Sequence, residues 1–206
     1  GQIDIFQKTG QKKLPVLFDN ETIIHDSSSI IRHLEKIEIE PKLIPEGLKE
    51  ASQVQIIENW ADTTLAKSIK IVFLEELTKN PKLIASLFSN KISDSMQKPL
   101  FNIPTKIASQ ISGLINQKEK ESLKLNLENL SNLINQENFL IGDKLSIADI
   151  SVASHLSLLK FPNSSGENLT GQGCSIYLND PSLQNLFKWR DFIEDQLAIT
   201  NHHESF

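Results

Sequence analysis

One cysteine among 206 residues, Cys174, leaves nothing for a disulfide to join, which excludes a disulfide scaffold and points to a reducing compartment. Long apolar runs are missing too: no stretch approaches the roughly 18 residues a membrane-spanning helix needs. No charged-then-apolar leader opens the chain, so the expectation is a cytoplasmic protein with no membrane partner. Positive charge is in deficit, with a formal net charge of −5. Lys and Arg form no run long enough to follow a phosphate backbone, which argues against nucleic acid as a partner. The densest basic stretch, Lys118 to Lys124, is interrupted by Glu119 and Glu121 and reads as a solvated helix face. Methionine is nearly absent as well. The chain opens at Gly1 and its one methionine is Met96, so the sequence is expected to be processed or a piece of a longer reading frame.

What is present suits a folded chain: 39% hydrophobic and 23% charged residues are ordinary globular proportions. Residues 14–18 and 21–25 are short β-prone runs separated by Asp19-Asn20, a hairpin signal. Asp26-Ser27-Ser28-Ser29 offers N-cap residues to a helix with Ile30, Ile31 and Leu34 on its inner face. Pro41 and Pro45-Glu46-Gly47 mark a linker, after which nothing resembles a strand pair. From Leu48 to about Asn80, Val54, Ile57, Ala61, Leu65 and Val72 fall mostly at intervals of three and four, predicting one long amphipathic helix that ends near Pro81. Leu123, Leu127, Leu130 and Ile134 predict another. Residues 146–160, apolar on most sides, suit a helix at the centre of a bundle, and Leu183 to Leu197 carry a last one. The fold class is therefore α/β plus all-α: a small unit at 1–40, a linker at 41–49, and an all-helical domain at 50–206.

Three motifs carry chemistry or structure. Lys13-Leu14-Pro15-Val16-Leu17 places a proline, which cannot donate to a ladder, at the start of a strand. A cis Leu14–Pro15 bond would turn the Leu14 backbone outward, where an extended peptide could pair with it; a trans proline opening an edge strand is the plainer alternative. Asp26-Ser27 stands where a strand meets a helix. The free amides and dipole there welcome a carboxylate, which Ser27 could also bind, while Asp26 could accept from an ammonium. Both could equally be simple helix caps. Gly142-Asp143-x-x-Ser146-x-x-Asp149 forms a capping box with Asp in place of the usual Glu, a structural motif.

In this order and spacing, the Leu-Pro-Val-Leu strand, the Asp-Ser about ten residues on, and the Gly-Asp-x-x-Ser-x-Ala-Asp box resemble the glutathione S-transferase family. The resemblance implies a partial thioredoxin-like N-terminal domain, lacking its first β-α-β unit, followed by a glutathione S-transferase-type helical bundle. It implies glutathione as co-substrate, conjugated to small hydrophobic electrophiles, and a homodimer. Leu14 would pair with the cysteinyl part of glutathione and Pro15 would be the cis-proline. Asp26 and Ser27 would hold the γ-glutamyl group, and Lys13 would reach the glycine carboxylate. Asp62 would reach the γ-glutamyl amine across a dimer interface, with Glu58 an equal candidate and a plain surface Asp the alternative. The substrate pocket would lie between the domains, lined from the long helix around Trp60, Thr63, Thr64 and Lys67. No residue is assigned as catalytic, because the family's activating Tyr, Ser or Cys belongs to the unit judged missing. His25, His33 and His155 lack metal-ligand spacing, so no metal is expected. The scaffold also serves non-catalytic modules that bind ligands or proteins, and these stay open as an alternative function.

Overall fold

Pro15 supplies no amide for a ladder, and the first strand of the computed structural model starts just after it. β1 (Val16–Asp19) pairs antiparallel with β2 (Thr22–His25). The structure describes residues 15–37, 41–88, 117–134 and 137–203. It divides into two units, Gly1–Pro45 and Glu46–Phe206. In the first, Val16 faces His25 and Asp19 faces Thr22, so the hairpin loop is Asn20-Glu21, one residue later than the sequence suggests. The reason is conformational: a two-residue hairpin loop needs a positive φ, and Asn20 supplies it at 51°.

α1 (Ser27–Ile37) follows the sheet. His33 Nε2 lies 2.6 Å from Asp19 Oδ2, tying the helix to the hairpin tip. The Leu43 amide donates to Glu35 Oε1 at 2.7 Å, tying it to the chain beyond. Ile30 and Ile31 are half-buried, but Leu34 is exposed, as are Phe18 and Ile23 on the sheet. None of the described residues of this unit is fully buried.

The second unit holds the core. α2 (Leu48–Trp60) runs through a π turn (Ala61–Leu65) into α3 (Ala66–Lys79). The apolar spacing explains the π turn. Ile57, Ala61, Leu65 and Ile69 recur every four residues, and each such step overshoots an α-helical turn by about 40°. A π turn takes up the excess, keeping Ala61, Leu65, Ile69 and Val72 all buried on one side. α3 ends at Lys79, just before Pro81 as the sequence predicts. Asn80 Oδ1 accepts from the Leu83 amide at 3.1 Å and caps α4 (Pro81–Phe88), with proline at the first helical position.

α5 (Gln117–Ile134) packs on α3. Between them Glu75, 7% exposed, receives Lys79 at 2.5 Å and Lys120 at 2.7 Å. Burial pushes its pKa up, but the hydrogen bonds and charges of Lys120 and Lys79 outweigh this and hold it below its ordinary value. A lowered carboxylate pKa gives stability that is present above the ordinary value and lost as pH falls through the folded one. Urea-unfolding stability should therefore drop below about pH 4.5, and Glu75→Gln should flatten that part of the profile; an unchanged acid limb would count against this pair.

α6 (Ile147–Leu156) lies at the centre, packed by α2, the π turn, α3 and the last helix, α8 (Gln184–His203). Its buried residues include Ile147, Ala148, Val152, Ala153 and Leu156. A short helix, α7 (Ser175–Leu178), precedes α8. The capping box is formed: Asp149 Oδ2 accepts from the Ser146 amide (2.9 Å) and hydroxyl (2.7 Å), and Oδ1 from the Leu140 amide (2.7 Å). Asp149 is wholly buried, and burial pushes its pKa up against those three bonds. Asp149→Ala strands all three donors and should cost about 3 kcal/mol in urea unfolding, with Asp149→Asn losing less.

Candidate ligand site

Antiparallel pairing of Val16 with His25 sets Pro15 and Asp26 at the same end of the hairpin. Lys13 and Leu14 lie outside the described residues. Pro15 is exposed immediately before β1. Asp26 is the junction between β2 and α1, with φ at +72°. Its carbonyl accepts the first helical bond, from the Ile30 amide at 3.0 Å, and its Oδ2 accepts from the Ser29 amide (3.2 Å) and hydroxyl (3.3 Å).

The helix-cap reading thus holds for Asp26 but leaves its backbone unexplained. Ordinary N-caps adopt extended φ/ψ, whereas a non-glycine residue at positive φ costs of order 1 kcal/mol and concentrates where function requires it. Here the left-handed residue turns the chain abruptly from strand into helix. Ser27, the first helical residue, is exposed, and its side chain bonds to no described residue. An exposed hydroxyl at the positive end of an 11-residue helix can donate to a carboxylate. His25 adds a feature the sequence did not flag. Its Nδ1 is buried without a hydrogen-bond partner among the described residues.

Asp62 lies in the π turn of the second unit. Its Oδ1 accepts from Ser151 Oγ at 2.8 Å and lies 3.1 Å from His155 Nε2. Glu58 is 3% exposed and accepts from Gln55 Nε2, so Asp62 is the more accessible of the two carboxylates. One residue on, a cavity of about 270 Å³ is lined by Thr63, Thr64, Lys67, Ser68, Ile71 and Glu119. Thr63, Thr64 and Lys67, named from the sequence for the substrate pocket, line this cavity, whose described walls all belong to the second unit. Trp60 is not among the lining; it packs against the core. Ser68 and Glu119 were not named for the pocket from the sequence; Glu119 is exposed, as the reading of its stretch as a solvated face expects, and also borders the cavity.

Two reactive side chain types are taken out of consideration by burial. The Cys174 thiol is wholly buried, and burial, with the Glu76 and Glu75 carboxylates, pushes its pKa up to about 12, so it is not a thiolate near neutrality. The buried Tyr177 hydroxyl is likewise pushed up to about 12, by burial first and then by Cys174 and Glu75. Among the described residues, no group of three or more His, Cys, Asp and Glu side chains could hold a metal ion. No helix there is long and apolar enough to cross a membrane.

The strained cap yields a direct test. Asp26→Ala loses the cap bonds and keeps the unfavourable φ, so it should destabilise α1 by about 1–2 kcal/mol by hydrogen exchange. Asp26→Asn, which tolerates positive φ and still accepts from Ser29, should stay within about 0.5 kcal/mol of the parent.

Both ends of the chain match known proteins. Residues 4–42 match the family described as Glutathione S-transferase, N-terminal domain, and residues 108–205 match Glutathione S-transferase, C-terminal domain. FtsZ-localized protein A of Caulobacter vibrioides is 22% identical over 151 residues, 71% of this chain. The chain spans 56% of that relative's length. The solved β-etherase LigF of Sphingobium sp. strain SYK-6 is 18% identical with a TM-score of 0.63, the match covering 100% of this chain and 84% of that one. A glutathione S-transferase from Rhodospirillum rubrum F11 is 22% identical with a TM-score of 0.51, covering 89% of this chain and 74% of that one. At these identities the structural likenesses speak to the fold.

Proposed function

The chain belongs to the glutathione S-transferase family through both of its domains, and from that premise we propose that it binds glutathione at the strand–helix junction of its first unit. The γ-glutamyl carboxylate sits on the Ser27 hydroxyl at the positive end of α1, and Asp26 takes the ammonium. The Leu14 backbone pairs with the cysteinyl residue, Pro15 shapes that edge, and Lys13 reaches the glycine carboxylate. The observation that carries the reading is the positive φ of Asp26, which costs energy, exceeds what a helix cap needs, and accompanies an exposed Ser27.

In the whole protein, glutathione is transferred to a small electrophile held in the cavity lined by Thr63, Thr64 and Lys67. Conjugation needs the glutathione sulfur as thiolate, and no residue of this chain is assigned that activation. The protein is a cytoplasmic homodimer in this reading, with Asp62 reaching the γ-glutamyl amine across the dimer interface.

A second reading, a glutathione-transferase-like module that binds without catalysing, draws support from the match to FtsZ-localized protein A, whose name records a location and no reaction. A conjugation assay on the whole protein separates the two, since turnover excludes the second.

Binding is tested by calorimetry. Glutathione should bind the parent chain, and Ser27→Ala should weaken it about tenfold, the worth of a hydrogen bond to a charged group. Urea unfolding of this variant should match the parent, because the Ser27 side chain bonds to no described residue. No detectable glutathione binding by the parent, or an affinity indifferent to Ser27, would remove the basis for the proposal.

A further inference from the structure

The walls of the cavity beside the π turn carry polar and charged groups that the hydrophobic electrophile implied by the family resemblance would not use. Among its described lining residues Ile71 is the apolar side chain, joined by the methyl and methylene groups of the threonines and Lys67. Thr63, Thr64 and Ser68 bring hydroxyls, Lys67 an ammonium and Glu119 a carboxylate. Sites for apolar ligands are lined mainly by hydrophobic and aromatic side chains with few polar groups. An apolar ring seated here would use the Ile71, methyl and methylene surface but leave the hydroxyls and charges without partners.

The chemistry of the two walls is directional. Thr63, Lys67 and Ile71 form one row of the helix at intervals of four, and Thr64 and Ser68 the next. The Thr63 hydroxyl already donates to the Asn59 carbonyl at 2.6 Å, so it faces a ligand as an acceptor. Lys67 forms no hydrogen bond or ion pair with any described residue, and its charge is available to a ligand. Glu119, in the first turn of α5, adds a negative charge to the lining. At about 270 Å³ the space lies at the small end of ligand pockets.

We propose that this cavity selects a small polar monoanion: an electrophile bearing one carboxylate, bound by Lys67, with further hydrogen bonds to Thr64 and Ser68. Glu119 discriminates against a second negative charge. The inference rests on the reading above that the cavity receives the electrophile, and it makes Lys67 and Glu119 specificity-determining residues.

Calorimetry with two unreactive probes of the same ring, dinitrobenzoate and dinitrobenzene, tests it on the purified chain. Dinitrobenzoate should bind about fivefold more tightly, the scale expected of an ion pair open to solvent. Lys67→Met should bring the ratio to about one. Lys70→Met, an exposed lysine of the same helix outside the cavity, should leave it unchanged. Glu119→Gln should strengthen dinitrobenzoate about twofold by removing a like charge and leave dinitrobenzene alone, a gain that structural damage would not produce. Equal affinity for the two probes in the parent, or a preference that survives Lys67→Met, would overturn the proposal. Glutathione titrated in parallel keeps the two ideas apart. A carboxylate preference without glutathione binding would support the anion pocket and refute the transferase reading, whereas glutathione binding without the preference would refute the pocket alone.

Discussion

The helical unit depends on a carboxylate that never meets water. Asp149 is buried at the start of α6 and accepts three hydrogen bonds, two from Ser146 and one from the Leu140 amide. An unpaired buried carboxylate would be prohibitively unfavourable, so the incoming segment at residues 140–146 must adopt the shape that supplies those donors. That fixes where α6 begins. Because α2, the π turn, α3 and α8 all pack on α6, its starting point and direction decide where their side chains meet.

The consequence reaches the surface through the π turn. A chain of apolar residues at intervals of four cannot stay on one face of a straight α-helix, and the core keeps Ala61, Leu65 and Ile69 by widening the backbone there. The same five residues carry Asp62, Thr63 and Thr64 on the outside. Ser151 and His155 of α6 then orient Asp62, while Thr63 and Thr64 open the cavity that α5 completes with Glu119. Core packing and the polar cavity are thus two sides of one helical segment.

The first unit works on a different principle. None of its described residues is fully buried, so its geometry rests on backbone pairing and local polar contacts: the β1–β2 ladder, the His33–Asp19 contact, and the Ser29 bonds to Asp26. Asp26 combines two roles there. It caps α1 while holding the left-handed turn that leaves Ser27 at the surface.

Much of this was legible from residue order. Local propensity and periodicity are short-range properties, so the hairpin, the cap at Asp26, the long helix from Leu48, and the Ser146–Asp149 box could be read without coordinates. The spacing of Ile57, Ala61, Leu65 and Ile69 even carried the π turn, although a count of threes and fours passes over it. The shift of the hairpin loop by one residue depended on which of two adjacent residues takes positive φ, and Asp19 and Asn20 are both able to. What only tertiary structure decided is which distant side chains meet. Glu119 borders a cavity as well as facing solvent, Ser151 and His155 engage Asp62 across about ninety positions, and Trp60 packs against the core. Those outcomes are set by how the helices pack on α6, and contacts between residues so far apart leave no periodic trace in a single chain.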